Sequence, residues 1–147
     1  AEAGVILSSV IYLKEAGERR FLVLDSGMHV LVRPAMYGAH HPVVPVREPA
    51  EGEPLVPMDV VGPICESSDV LGRDRMLPVL GSGDLVAIMG AGAYGAVMAS
   101  HYNSRPSAAE ALVDGERFAV VRPRLTAEEQ FAHERIPGWL AGTAGVG

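Results

Sequence analysis

The sequence predicts a mainly β fold, a small β-barrel or sandwich with one or two short helices. Three observations carry that expectation. Short β-rich runs recur along the 147 residues, turn signals separate them, and 17 glycines with 11 prolines suit a loop-rich sheet better than a helical bundle. Apolar residues make up 48% and charged residues 20%, a globular balance on a chain long enough to bury a core.

The first candidate strands are Val5 to Leu13 and Arg20 to Leu24, joined by the polar turn Lys14-Glu15-Ala16-Gly17-Glu18. Val43 to Val46 and Val60 to Ile64 follow, each bounded by prolines, which cannot donate to a ladder. Leu85 to Met89 leaves the turn Gly81-Ser82-Gly83-Asp84. Glu110 to Val113 and Glu116 to Val121 flank Asp114-Gly115, a two-residue hairpin signal. Thr126-Ala127-Glu128-Glu129 fits a capping box, so a helix is expected there, ending before Pro137. Residues 1–140 read as one β-domain and 141–147 as a small-residue tail that frays.

Charge and composition exclude several classes of function. A net charge of −6 argues against nucleic acid, whose phosphates reward basic surfaces. No apolar run reaches the roughly 18 to 20 residues of a membrane helix, and no basic-then-apolar leader opens the chain. The start at Ala1, already strand-like, is expected of a processed chain or an excised piece. The single cysteine, Cys65, rules out an internal disulfide and points to a reducing, cytoplasmic setting. Lys14 is the sole lysine and sits in a polar turn. That is a poor place for a Schiff-base lysine, which must be desolvated.

Reactive groups gather at four places. Asp25-Ser26-Gly27-Met28 leads to Arg33-Pro34-Ala35-Met36-Tyr37, where the planar fork of Arg33 suits a carboxylate and Tyr37 adds a hydroxyl; the same pair also occurs as ordinary surface. In Gly62-Pro63-Ile64-Cys65-Glu66-Ser67-Ser68-Asp69 the cysteine is either a buried hydrophobe or a thiol kept protonated by neighbouring carboxylates, able to donate a proton. No basic group adjoins Cys65, so a nucleophilic cysteine has little support. Gly90-Ala91-Gly92-Ala93-Tyr94-Gly95 allows close backbone approach to a ligand, or is simply a tight turn; it lacks phosphate-loop spacing. Ser100-His101-Tyr102-Asn103-Ser104-Arg105-Pro106 is a polar run between apolar segments. His40-His41 lacks a second ligand pair at useful spacing, so no metal site is expected.

The order of these motifs is more specific than any of them alone. With Leu77-Pro78, Gly83-Asp84-Leu85 and Glu110 in their places, the chain from about Val5 to Val113 resembles the C-terminal half of diaminopimelate decarboxylases. The resemblance implies the alanine racemase and ornithine decarboxylase fold group. There an N-terminal (β/α)₈ barrel holds pyridoxal 5′-phosphate (PLP) on a lysine, and a C-terminal β-domain completes a site where two subunits of a homodimer meet. It further implies a PLP-dependent lyase of lysine biosynthesis, converting meso-diaminopimelate to L-lysine and CO₂. Cys65 would protonate the carbanion left after CO₂ departs. Glu66 would meet the distal ammonium, Arg33 and Tyr37 the distal carboxylate, and Tyr94 both cofactor and substrate, with Cys65 and Glu66 reaching the partner subunit's site.

The residue types agree with that substrate. The far end of diaminopimelate is a zwitterion, for which an arginine and a glutamate form a minimal matching pair. Ornithine ends in a lone cation and has no use for Arg33. Decarboxylases of ornithine, arginine or carboxynorspermidine, and a non-catalytic β-barrel binding or dimerisation module, remain the alternatives. Ser68, His29 and His101 depart from the residues common at those places in the family. The barrel, its PLP lysine, its phosphate-binding glycines and a substrate arginine just ahead of this domain are absent from the chain. The chain alone is therefore expected to be inactive.

Overall fold

Eleven residues of strand β1 (Ile6–Ala16) return as β2 (Arg19–Leu24) through a turn tighter than the sequence suggested. In this computed structural model, which describes residues 2–141, Ala16 pairs with Arg19, so only Gly17 and Glu18 form the turn. Gly17 has φ +62° while Glu18 stays at negative φ, the pattern of a type II′ hairpin. Lys14, Glu15 and Ala16 are strand. Polar residues at a solvent-exposed hairpin end hide the strand's true length from its apolar pattern.

Contacts divide the chain into two compact units, residues 1–104 and 105–147. The first holds a six-stranded sheet in the order β3-β6-β1-β2-β4-β5. Its further strands are β3 (Val43–Pro45), β4 (Val56–Val61), β5 (Val70–Leu77) and β6 (Leu85–Ile88). Pairing is antiparallel except between β2 and β4, which run parallel. The chain leaves β2, makes helix α1 (Arg33–Tyr37) and β3, and returns as β4. The two edges, β3 and β5, approach each other within 8 Å between Cα atoms, so the sheet nearly closes into the barrel expected as one of two alternatives.

Inside that curl lies one core. Leu22, Leu24, Leu31, Val60, Val86 and Ile88 are wholly buried, with Val10, Met58, Leu71, Leu77 and Leu80 nearly so. Alternation along β1 places Ser8 and Val10 inward. Ser8 is tolerated there because its hydroxyl donates to Asp25 Oδ1 at 2.6 Å and accepts the Ser26 amide at 3.1 Å. The buried Asp59 of β4 accepts the Asp74 amide at 3.1 Å and pairs with Arg19.

Two further strands differ from expectation. β4 runs through Pro57 and stops at Val61, three residues earlier than expected; its pairing with β2 covers only Asp59 to Val61, so Pro57 needs no N–H on that side. β5 was not anticipated, because Arg73-Asp74-Arg75 breaks its apolar pattern and Asp74 takes φ +51° at an irregularity in the ladder.

The second unit holds the hairpin β7 (Glu110–Asp114) and β8 (Arg117–Arg122). The expected Asp114-Gly115 turn is shifted by one residue. Asp114 pairs with Arg117 as the last residue of β7, and Gly115 (φ +60°) opens the turn. The capping box forms as expected at α2 (Ala127–Phe131), with Glu129 N donating to Thr126 Oγ1 at 3.1 Å and Thr126 N donating to Glu129 Oε2 at 2.8 Å. The helix lasts little more than one turn, since none of its residues is buried to extend it. Pro137 then precedes a third short helix, α3 (Gly138–Ala141). Most of the expected tail, residues 142–147, lies outside the described residues.

Candidate active site

Arg33 opens α1, with Pro34 setting the φ of its first turn, and Tyr37 closes it before Gly38 ends the helix at φ +63°. Their spacing of four puts both side chains on one side of the single helical turn. Tyr94 arrives from the loop after β6, held at φ +57°, where an L-residue is uncommon. With Val97 and Met98, these three line one open pocket of about 560 Å³. Tyr37 and Tyr94 are 64% and 62% exposed, so each offers a ring face and a hydroxyl to whatever fills it.

A residue outside the sequence-derived set positions Arg33. His41 is buried, and its Nδ1 lies 3.0 Å from the Met89 carbonyl, which only accepts. Nδ1 therefore carries the proton, and Nε2 is left to accept from Arg33 Nη1 at 3.5 Å. The sequence offered His41 only as half of a histidine pair. Its neighbour His40 is exposed and meets Arg75 instead.

Cys65 and Glu66 do not line the Tyr94 pocket; they sit in the loop between β4 and β5. Asp69 ties that loop down. It is almost wholly buried, its Oδ2 accepts the Ile64 amide at 2.7 Å, and its Oδ1 accepts the Met28 amide at 2.6 Å. Gly62 donates to the Asp69 carbonyl at 3.0 Å, and a Cβ on Gly62 would overlap the carboxylate and the Gly27 backbone. Gly62 and Gly27 are thus the residues that let one carboxylate fasten two loops. The result is that Cys65 and Glu66 stand exposed on a rigid base.

A second turn faces them. Residues Tyr102 to Ser104 form a short 3₁₀ segment in which Asn103 and Ser104 are left-handed. The Ser100 amide, donating to the His29 carbonyl at 2.8 Å, fastens it to the same base. Tyr102 donates its hydroxyl proton to Glu66 Oε1 at 2.5 Å, and Asn103 Nδ2 donates to Cys65 Sγ at 3.3 Å. The Glu66 carboxylate, with a smaller effect from Cys65, pushes the Tyr102 phenol above its ordinary value. The sequence marked this run as polar; its pairing with Cys65-Glu66 has no local sign, the partners being 36 and 38 residues apart.

The site thus comprises two clusters: a cation and two phenols around an open pocket, and a thiol and carboxylate on a braced loop. Among the described residues, no group of three or more acidic, histidine or cysteine side chains could hold a metal. No helix there is long and apolar enough to cross a membrane.

Diaminopimelate decarboxylase of Zymomonas mobilis is 45% identical over 95% of this chain, and that of Archaeoglobus fulgidus 47% identical over 92%. In each case the match covers 32% of the relative. The crystal structure of diaminopimelate decarboxylase from M. jannaschii in co-complex with L-lysine matches with a TM-score of 0.89 and 35% identity, over 95% of this chain and 32% of that one. The chain therefore spans about a third of the length of the relatives it matches. Residues 2–92 match the family model described as pyridoxal-dependent decarboxylase, C-terminal sheet domain, and the chain belongs to that family.

Proposed function

We propose that this chain is the C-terminal part of a diaminopimelate decarboxylase, which converts meso-diaminopimelate to L-lysine and CO₂. The observation that carries the reading is Arg33: a permanent cation, steadied by His41, at a pocket it shares with Tyr37 and Tyr94. A guanidinium there has a purpose if the substrate's far end carries a carboxylate, and none if that end is a bare ammonium. Ornithine-type substrates are disfavoured on that ground.

Arg33 and Tyr37 hold the distal carboxylate, and Glu66 accepts from the distal ammonium. Cys65 gives its proton to the carbon that has lost CO₂. PLP, when bound, serves as the electron sink that makes that loss of CO₂ feasible. The residues present fit one wall of a PLP site, with Tyr94 as the aromatic and hydroxyl contact. They do not fit its covalent attachment: Lys14 is exposed on the β1-β2 hairpin, opposite Phe21. In the complete enzyme the attachment lysine would come from an N-terminal barrel domain, outside these 147 residues, and these residues by themselves should release no CO₂. In the complete enzyme, a homodimer, the exposed Cys65-Glu66 loop serves the partner subunit's site. A free exposed thiol suits a cytoplasmic enzyme.

The test combines this chain with a separately produced barrel half and PLP, and follows CO₂ release from meso-diaminopimelate and from ornithine. Release from diaminopimelate alone, abolished by Cys65→Ser, supports the reading. Release from ornithine instead moves the assignment to a sibling decarboxylase. Silence on both substrates, with the halves shown to associate, favours a non-catalytic binding or dimerisation module.

A further inference from the structure

The thiol of Cys65 is exposed, yet a specific partner faces it. Asn103 stands in the left-handed region (φ 56°, ψ 32°), a conformation that asparagine accepts more readily than most residues, and this geometry turns its amide toward Sγ at 3.3 Å. Other titratable and charged groups belong to the same two segments, and Arg105 follows the opposing turn in sequence. Glu66 and the buried Asp69 lie on its own loop, and Tyr102, next to His101, on the opposing turn. The Asp69 carboxylate already accepts two backbone amides, and Glu66 accepts from Tyr102. Giving up the proton leaves a negative charge on the sulfur, and an N–H donor already facing Sγ is placed to stabilise it.

We propose that Asn103 is a positioning residue for proton donation by Cys65: its side-chain N–H holds the sulfur and stabilises the thiolate formed when the thiol gives up its proton. The inference rests on the reading of Cys65 as the donor. In the step, the S–H bond breaks and its proton forms the new C–H bond at the carbon that has lost CO₂. The electron pair stays on sulfur, where the Asn103 N–H meets it, and a solvent proton then restores the thiol. A donor aimed at the atom where charge develops acts on the step itself rather than on substrate binding.

Asn103→Gly and Asn103→Asp, made in the complete PLP-loaded enzyme, separate this role from a structural one. Glycine and aspartate both tolerate the left-handed backbone; glycine deletes the amide, and aspartate replaces its donor with an acceptor. The first readout is the pH dependence of Cys65 alkylation by iodoacetamide, followed by mass spectrometry of the Cys65 peptide. The midpoint should rise in both variants and further in the aspartate one, with alkylation below the midpoint slowed several-fold. The second readout is turnover of diaminopimelate, where kcat should fall and KM hold. Superimposable alkylation profiles in the three proteins, or a Cys65 that stays unreactive across the range in the unmodified enzyme, would overturn the proposal. If the unmodified enzyme fails to decarboxylate diaminopimelate, the functional reading fails instead, and the alkylation profiles still report on the Asn103–Cys65 contact.

Discussion

Asp69 Oδ1 accepts the backbone amide of Met28 at 2.6 Å, across 41 positions of sequence. With Oδ2 on the Ile64 amide, one buried carboxylate fixes the loop that carries Cys65 against the segment that leads from β2 to α1. Each bond is charge-assisted and shielded from water, the setting in which hydrogen bonds contribute most.

Removing that carboxylate should therefore cost stability well above a surface substitution. Asp69→Ala leaves two amides without their acceptor and is expected to lower the unfolding free energy by about 3 kcal/mol or more. Asp69→Asn keeps one acceptor oxygen and should lose roughly half as much. Urea unfolding of the two variants checks the order and the size, and equal losses would mean that the two amides are not the reason.

His41→Phe fills the same buried space but cannot accept from Arg33. The guanidinium then samples other directions. KM for diaminopimelate should rise about tenfold while kcat stays within about twofold, the pattern of lost ground-state binding. Steady-state kinetics of the complete enzyme reads this directly, and a fall in kcat at constant KM would place His41 elsewhere in the mechanism.

The loop between β3 and β4 holds an acid-sensitive contact. The Arg47 guanidinium binds both oxygens of Glu53, and the Ala50 amide donates to it as well, which lowers the Glu53 carboxyl from 4.5 to about 2. A carboxyl depressed in the folded state stabilises above its unfolded value and loses that contribution as pH falls through the folded one. Glu53→Gln should thus flatten the pH dependence of stability between about 4.5 and 2 without changing its shape near neutrality. An NMR titration of the Glu53 side chain should give a midpoint near the lower limit.

Tyr102 titrates in the opposite sense. Its phenol is raised above the ordinary value by Glu66, so the contribution to stability is present below that value and lost as pH climbs through the raised one. Ultraviolet titration should find one tyrosine ionising late, and Glu66→Gln should return it toward the others. Tyr102→Phe removes the donor that aims Glu66, and KM for diaminopimelate should rise about threefold with kcat little changed.

Much of the architecture was legible because its signals are local. The strands at Ile6, Arg19, Val43, Leu85, Glu110 and Arg117 announce themselves through β-branched runs between glycines and polar turns, and the Thr126-Glu129 box is written in four residues. β5 was hidden because Arg73, Asp74 and Arg75 face outward or bulge, leaving too few apolar positions to set a period. α1 was hidden because five residues, one of them proline, are too few to show a helical repeat. The site divides the same way. Arg33, Tyr37, Cys65, Glu66 and Tyr94 stand out by residue type within recognisable motifs. His41, Asp69 and Asn103 act only through residues brought near by folding: His41 meets Met89 from 48 positions away, and Asn103 meets Cys65 from 38.

A sheet that stops short of closing leaves two rows of backbone groups that could recruit another polypeptide strand. Here those rows are poor templates. β3 is three residues long and ends in Pro45, which has no amide to offer, and Pro42 stands just before it. β5 carries Arg73-Asp74-Arg75 along its length, with an irregular ladder beside Asp74. A length of bare strand and a flat ladder are what runaway edge-to-edge stacking requires, and neither rim supplies them. The fold can therefore leave its barrel partly open without offering either rim as a template for another strand.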